Sequence, residues 1–109
     1  MKAKVTTNKQ AVKIAKRLEA QLKEATEIFN DDFIIETTNC DTFLTTTIHS
    51  DKIWIMSKVV AERIIKIANR FCNRYEDMFW GFECGEYTST TTGNMYPTPQ
   101  LYIQLNISK

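Results

Sequence analysis

The chain has 109 residues, of which 43% are hydrophobic and 25% charged, and its formal net charge is +1. This length suits one domain that can bury a core without disulfide or metal staples. The scarcity of Gly and Pro, 3 and 2 residues, excludes collagen-like and low-complexity chains. No apolar run reaches the roughly 18 residues that a membrane span needs. We therefore expect a single folded domain over residues 1–109, and the near-neutral charge by itself indicates no class of partner.

The N-terminal segment and the cysteines predict a cytoplasmic protein that does not bind membranes. Residues 1–8 are polar and lack the apolar stretch of a secretory signal. The cysteines, Cys40, Cys72 and Cys84, are odd in number and far apart, so a disulfide framework is not expected. Reduced thiols are typical of a reducing compartment.

The first predicted element is an amphipathic helix. Thr7 and Gln10 stand at capping-box spacing, which predicts a start near Asn8, and Asn30 with Asp31 forms the predicted stop. Apolar residues recur at steps of three and four, which at about 100° per residue makes one stripe. The stripe consists of Ala11, Ile14, Ala15, Leu18, Leu22, Ala25 and Phe29.

Strand-like sequence follows the first helix. Segments 33–38 and 42–49 are rich in β-branched and aromatic residues, and residues 39–41 form the predicted turn between them. The apolar run 53–56 has two interpretations. It is a third strand after a turn at residues 51–52, which we favour, or it is an early start of the second helix.

A second amphipathic helix is predicted over about residues 58–77, with Ser57 as a candidate N-cap. Its apolar residues again share one face, because they recur at helical spacing. They are Val60, Ile64, Ile67, Ala68, Phe71 and Tyr75.

The C-terminal third predicts two further strands. Segment 79–88 is a strand interrupted by glycines, residues 89–99 form a polar loop, and segment 101–107 alternates strictly between apolar and polar residues. The order α-β-β-(β)-α-β-β predicts an α+β fold, an antiparallel sheet of four or five strands with two amphipathic helices on one face. The α-β-β order occurs twice, although the residues of the two halves are too dissimilar to establish a repeat.

Basic residues form two ladders on the predicted helices. Lys9, Lys13 and Arg17 are spaced i, i+4, i+8, and so are Lys66, Arg70 and Arg74. Like charges at this spacing repel by roughly 0.2–0.5 kcal/mol per pair. Both basic ladders lie away from the apolar stripes, so we expect them to be exposed. An exposed ladder that costs stability suggests an anionic partner, and the alternative is a solvated surface whose repulsion salt screens.

No motif specifies a reaction or a cofactor. His49 and the three cysteines lack the two- to four-residue ligand spacing of a metal site, so we expect no bound metal. Cys40 and His49 are expected near opposite ends of their hairpin, which disfavours a nucleophile–base pair. The sequence also lacks a Gly-rich phosphate loop, G-x-S-x-G and H-E-x-x-H. It therefore predicts no catalytic residue and no cofactor.

These observations favour a non-enzymatic binding or adaptor module whose basic helical face meets an acidic protein surface or a nucleic acid. The residues predicted to meet the partner are Lys9, Lys13, Arg17, Arg63, Lys66, Arg70 and Arg74. One alternative is a small-ligand-binding or enzymatic domain with a pocket near the 89–99 loop, which is long for a hairpin connection. Another is a structural homodimer, because segments 33–35, 43–44 and 53–56 place apolar residues on both faces of their strands.

Overall fold

A computed structural model of the chain describes residues 2–27, 33–50, 58–88, 92–93 and 95–107, with the backbone alone described for Ser50, residues 84–88 and residues 95–99. The elements follow one another as two α-β-β units. They are α1 (Asn8–Thr26), β1 (Phe33–Cys40), β2 (Phe43–Ser50), α2 (Lys58–Arg74), β3 (Met78–Thr88) and β4 (Met95–Asn106).

The start of α1 is the predicted one. Thr7 is the N-cap, and its hydroxyl accepts a hydrogen bond from the Gln10 amide at 3.2 Å. The Gln10 side chain in turn accepts from the Thr7 amide at 3.3 Å, which completes a capping box and satisfies two amides that the helix leaves unpaired. The helix ends at Thr26, and the predicted stop at residues 30–31 lies outside the described residues.

The four described strands form one antiparallel sheet in the order β1-β2-β4-β3. The α+β class with two helices is therefore confirmed. The central pairing joins the two hairpins and places Thr46 of β2 opposite Ile103 of β4. Because β2 and β4 are antiparallel and flanked by β1 and β3, the two α-β-β units are related by an approximate two-fold axis through the middle of the sheet. The doubled order seen in the sequence thus has a counterpart in the topology.

Both helices pack on one face of the sheet. Helix α1 contacts β1 and β2, α2 contacts β3, and the helices contact each other. The fully buried side chains come from both helices and both central strands, so one core joins all layers. The largest of them are Leu18, Leu22, Ile48, Ile64, Leu101 and Ile103. Neither α1 nor α2, the helices described, combines the length and apolar character that a membrane crossing requires.

A hydrogen bond ties each helix to the outer strand beneath it. On one side the Thr37 hydroxyl of β1 donates to the Glu19 carboxylate of α1. On the other side the Trp80 indole N–H of β3 donates to the Asn69 amide oxygen of α2 at 2.7 Å. Thr37 and Trp80 lie in the same row across the sheet. The two halves therefore fix their helices at corresponding places with different chemistry.

The predicted turn at residues 39–41 is wrong by its first two residues. Asn39 and Cys40 belong to β1, and the turn is formed by Asp41 and Thr42. The reason is a tertiary contact, because the Asn39 side chain exchanges hydrogen bonds with that of Asn8 at the start of α1, the shorter at 2.8 Å. That contact holds β1 in register beyond the point where turn-forming residues suggested it would end.

The predicted loop 89–99 is also wrong in its second half, because β4 begins at Met95 and pairs with β3 from there. Proline is confined to strand positions that do not need its missing amide hydrogen. Pro97 and Pro99 meet that condition, since the pairing of β2 with β4 ends at Leu101 and the described strands flank this part of β4 on one side only. The third strand favoured at residues 53–56 lies outside the described residues.

The second face of the sheet carries both polar and apolar side chains, as the alternation within segments 33–35 and 43–44 predicts. Phe33, Ile35 and Leu44 all lie on the helix-covered side. The open face carries threonine, amide and carboxylate side chains together with Ile34, Phe43 and Phe79, of which Phe79 is 43% exposed. The described residues of this face on the two central strands are Phe43, Thr45, Thr47, His49, Gln100, Tyr102, Gln104 and Asn106. Segment 53–56, the third apolar segment behind the homodimer hypothesis, lies outside the described residues.

Tyr102 covers a glycine on the open face. A Cβ atom placed on Gly81 would come within 2.7 Å of the Tyr102 Oη, so the phenol ring lies directly across the Gly81 backbone. The same ring meets Phe79 edge to face, with centroids 6.4 Å apart and planes at 83°. This is the usual geometry for an aromatic pair, whose electron-poor ring edges prefer electron-rich faces.

Candidate functional site

The two helices run antiparallel over the sheet. Arg17, in the middle of α1, donates a hydrogen bond from Nη2 to the Tyr75 hydroxyl just beyond the end of α2. Ala25, near the end of α1, instead shares a cleft with Arg63 and Ile67 in the first half of α2. The start of α1 therefore lies beside the end of α2, and both helices present one side to the groove between them.

The N-terminal segment lies beside the end of α2. The Ala3 amide donates to the Arg74 carbonyl at 2.8 Å, and the Glu76 amide donates to the Ala3 carbonyl at 2.8 Å. Ala3 and Tyr75 form a parallel bridge, and Val5 is only 2% exposed. Backbone pairing thus brings Lys4 close to the groove between the helices.

The first cleft, called here the Tyr75 cleft, has a volume of about 560 Å³. Its floor is made of buried side chains and its rim of exposed cationic side chains. The floor consists of Val5, Ile14 and Tyr75, and the rim includes Lys4, Lys13 and Arg17.

The second cleft, called here the Ile67 cleft, has a volume of about 600 Å³. It repeats the arrangement, because its apolar residues are the buried Ile67 and the partly buried Ala25, and three exposed cations line it. Those cations are Arg63, Lys66 and Arg70. Glu24 is the one acidic residue in its lining.

The two clefts adjoin along α1. Arg17 lines the Tyr75 cleft, and Gln21, one helical turn later, lines the Ile67 cleft. Together they form a surface that runs along α1 and is bounded by the N-terminal segment, Tyr75 and α2, called here the inter-helix surface. It is lined by six cations and one acid.

The structure brings five of the seven predicted partner-binding residues onto this surface. They are Lys13, Arg17, Arg63, Lys66 and Arg70, and all five are exposed, as the position of the basic ladders relative to the apolar stripes predicted. Lys9 and Arg74 are exposed as well but line neither cleft.

Lys4 was missed by the sequence reasoning. It belongs to the basic N-terminal block, but that block precedes the helix and has no periodicity from which a face could be assigned. Only the bridge between Ala3 and Tyr75 positions it.

Ion pairing leaves the inter-helix surface largely uncompensated. Among the described residues, the ion pair within 4.0 Å is that of Lys58 with Glu62, at 3.8 Å and exposed. None of the six cations of the inter-helix surface makes such a pair with an acid that the structure describes. The repulsion within the basic ladders is therefore not offset by direct contacts in this part of the chain.

The described cysteines and His49 do not assemble a reactive centre. Cys40 pairs with Phe43 beside the turn, whereas His49 pairs with Ile34 near the other end of the hairpin. Burial raises the pKa of the Cys72 thiol, an effect that the nearby Lys2 opposes. Over the residues that the structure describes, no three His, Cys, Asp or Glu side chains gather as metal ligands.

The predicted pocket near the 89–99 loop lies largely outside the described residues. Residues 89–91 and 94 lie outside them, and residues 95–99 belong to β4. Of the two large clefts described above, the Ile67 cleft lies between the helices, and the Tyr75 cleft lies between α1, the N-terminal segment and Tyr75.

Comparisons with known proteins add no relative to this picture. No protein-family model matches the chain, and no curated protein or solved structure matches it significantly.

Proposed function

We propose that this protein is a non-enzymatic binding module that meets an anionic macromolecule across the inter-helix surface. One observation supports the proposal: cations from both basic ladders, together with Lys4, line two adjoining clefts. Clefts lined by one sign of charge raise the local potential and attract ligands of the opposite sign.

The positive charge of the inter-helix surface is much larger than the net charge of the chain. The two linings carry a formal charge of +5, from six cations and one acid, whereas the whole chain carries +1. The rest of the chain therefore carries −4. Within the linings, Lys13 with Arg17 and Lys66 with Arg70 stand at i, i+4 spacing, which costs roughly 0.2–0.5 kcal/mol per pair. A partner that neutralises these groups would recover that cost on binding.

We propose a cytoplasmic location for this module. Cys40 and Cys72 are both free thiols in the fold, which supports a reducing compartment. The binding surface uses neither of them.

Charge reversal on α2 tests the proposed function. The variant Arg63→Glu, Lys66→Glu, Arg70→Glu changes three exposed residues that line the Ile67 cleft. The matched control, Lys9→Glu, Lys16→Glu, Lys23→Glu, makes the same change in charge at exposed α1 positions outside both clefts. Retention on immobilised polyglutamate, heparin, single-stranded DNA and RNA would be measured at low and moderate salt.

We expect the wild-type protein to bind at least one of these polyanions at low salt, and to bind less at moderate salt because exposed charges are screened. The α2 variant should bind at least about tenfold more weakly, since three attractive contacts become repulsive. The α1 control should bind within about twofold of wild type. Equal losses in both variants would show that net charge rather than the inter-helix surface matters, and no retention at any salt would refute the proposal.

A further inference from the structure

Building on the proposed function, we propose that the anionic partner is an acidic, amphipathic helical segment of another protein. Its apolar side chains would contact the floors of the Tyr75 cleft and the Ile67 cleft, and its carboxylates would meet the cations around them. This commits the surface to a protein partner rather than to a nucleic acid.

The floors of the two clefts are formed by nearly buried side chains of the core. Val5 is 2% exposed, Ile14 6%, Tyr75 8% and Ile67 4%, so each cleft ends on the edge of the protein core. An apolar side chain that enters such a cleft gains about 25 cal/mol per Å² removed from water, and most of that surface is its own, because the floor residues are already nearly buried. A phosphate backbone has no group that could use these floors.

In the part of the chain that the structure describes, the clefts lack the exposed aromatic rings on which nucleic-acid bases stack. Proteins that hold single-stranded nucleic acids without sequence preference stack the bases on exposed aromatic rings. The linings contain one aromatic residue, Tyr75, which is buried and whose hydroxyl already accepts the Arg17 hydrogen bond. The inter-helix surface thus offers charge and apolar depth but no platform for bases, a combination that fits an acidic amphipathic segment.

The spacing of the clefts sets the length of the segment. Ile14 and Ala25 line different clefts and are eleven residues apart on α1, which corresponds to about 16 Å at a rise of about 1.5 Å per residue. A partner helix lying along the groove would span that distance in about three turns. Its two apolar contacts would therefore stand about eleven residues apart, with acidic residues on the flanks.

Arg17 stands where such a segment would cross from one cleft to the other. One of its N–H groups is donated to Tyr75, and the exposed guanidinium has further donors of its five. A guanidinium fixed in orientation by one hydrogen bond loses less rotational freedom when it binds a carboxylate in a fork. We expect Arg17 to contact the central acid of the partner.

Three fluorescent probes separate the possibilities. The first is a helical peptide of about 16 residues, rich in Glu and Ala, with two Leu about eleven positions apart. The second carries Ser in place of both Leu and has the same charge, and the third is single-stranded DNA of equal charge. From fluorescence anisotropy we expect the Leu peptide to bind at least about tenfold more tightly than the other two, because only it can fill both floors.

Two filled-cleft variants test the floors without a change in charge. Ala3→Trp places an indole at a position that lines the Tyr75 cleft, and Ala25→Trp does so at the Ile67 cleft. Ala20→Trp, at an exposed α1 position outside both clefts, is the control. Either filled cleft should weaken binding of the Leu peptide about tenfold and leave the Ser peptide unchanged, because only the Leu peptide uses the floors. Thermal unfolding identifies which variants remain folded, and each cleft can be tested without the other.

The outcomes distinguish this inference from the proposed function on which it rests. Equal affinity for the Leu and Ser peptides, or tighter binding of DNA that the charge-reversed α2 variant abolishes, would overturn the inference and leave the anion-binding proposal standing. A Leu-peptide affinity unaffected by filling either cleft would also overturn it. The absence of binding by all three probes at low salt would overturn both.

Discussion

Arg17 and Tyr75, 58 residues apart in the chain, are joined by a hydrogen bond from the guanidinium to the phenol hydroxyl. Tyr75 also forms a backbone bridge with Ala3 and is 8% exposed. Tyr75, which directly follows α2, therefore contacts α1 through its side chain and the N-terminal segment through its backbone. These contacts keep the Tyr75 cleft next to the groove between the helices.

Removal of the Tyr75 hydroxyl should be measurable. Tyr75→Phe keeps the buried ring and loses the acceptor, and we expect the free energy of unfolding to fall by about 0.5–1.5 kcal/mol. Tyr102→Phe is a suitable control, because its hydroxyl has no hydrogen-bond partner among the described residues. Urea denaturation compares the two. Equal stability of both variants would show that the Arg17 contact contributes nothing.

The capping box predicts a cost at the start of α1. Thr7→Ala removes the hydroxyl that accepts from the Gln10 amide, and we expect a loss of about 1 kcal/mol in unfolding free energy. Thr7→Ser retains the acceptor and should lose less than half as much. If Ser and Ala destabilise the protein equally, the hydroxyl is not the cause.

Gly81 and Tyr102 should be energetically coupled. An alanine in a strand is favoured over glycine by roughly 0.5–1 kcal/mol, but here its methyl group would displace the Tyr102 ring. Gly81→Ala should therefore stabilise a Tyr102→Ala protein and give no gain in the wild type. A double-mutant cycle in urea should show a coupling of about 1 kcal/mol. Additive effects would mean that the ring moves aside without cost.

Cys72 should react slowly with thiol reagents. Burial raises the pKa of its thiol, so less thiolate is present at a given pH, and thiolate is the reactive form. In a Cys84→Ser background at pH 8, mass spectrometry should find Cys72 alkylated later than Cys40. Lys2→Glu should slow Cys72 further, because Lys2 lowers the pKa of this thiol. Alkylation of Cys72 at the rate of a free thiol peptide would contradict the assignment.

The same shift has a defined sign for stability. The pKa of the Cys72 thiol is higher in the folded state than in the unfolded chain, so folding favours the protonated thiol. This contribution to the free energy of unfolding is fully present below the pKa of the unfolded state. It is lost as the pH rises through the alkaline range towards the folded pKa. The difference in unfolding free energy between wild type and Cys72→Ser should therefore shrink with alkaline pH, and a difference that grows would reverse the sign of the shift.

Local patterns were enough to predict the elements whose causes are local. Thr7 and Gln10 fix the start of α1 through contacts three residues apart. The apolar stripe of α2 is buried as its periodicity predicts, and so is that of α1 from Ala11 to Leu22, whereas Ala25 is partly buried and Phe29 lies outside the described residues. The ends of β1 and β4 were misplaced because distant contacts set them. Asn39 is held by Asn8, and Pro97 is accommodated where β2 no longer pairs with β4.

The candidate site likewise has a part that the sequence predicted and a part that only the fold shows. Helical spacing placed the basic ladders on exposed faces, but it could not show which parts of the two ladders meet. That depends on the antiparallel arrangement of α1 and α2, which the Arg17–Tyr75 contact and the shared Ile67 cleft reveal. Lys4 entered the surface through a backbone bridge that no side-chain pattern encodes.

The approximate two-fold axis between β2 and β4 has a consequence for how the chain could be divided. A break within residues 51–57 would separate two α-β-β fragments, each with its own helix and hairpin. In each fragment the strand that is central in the whole sheet would become an open edge with unpaired amides and carbonyls. The natural partner for either edge is the other fragment, so the two pieces should complement each other when mixed. A single fragment could satisfy its edge by pairing with a second copy of itself, so each half of the chain is expected to self-associate when it is made alone.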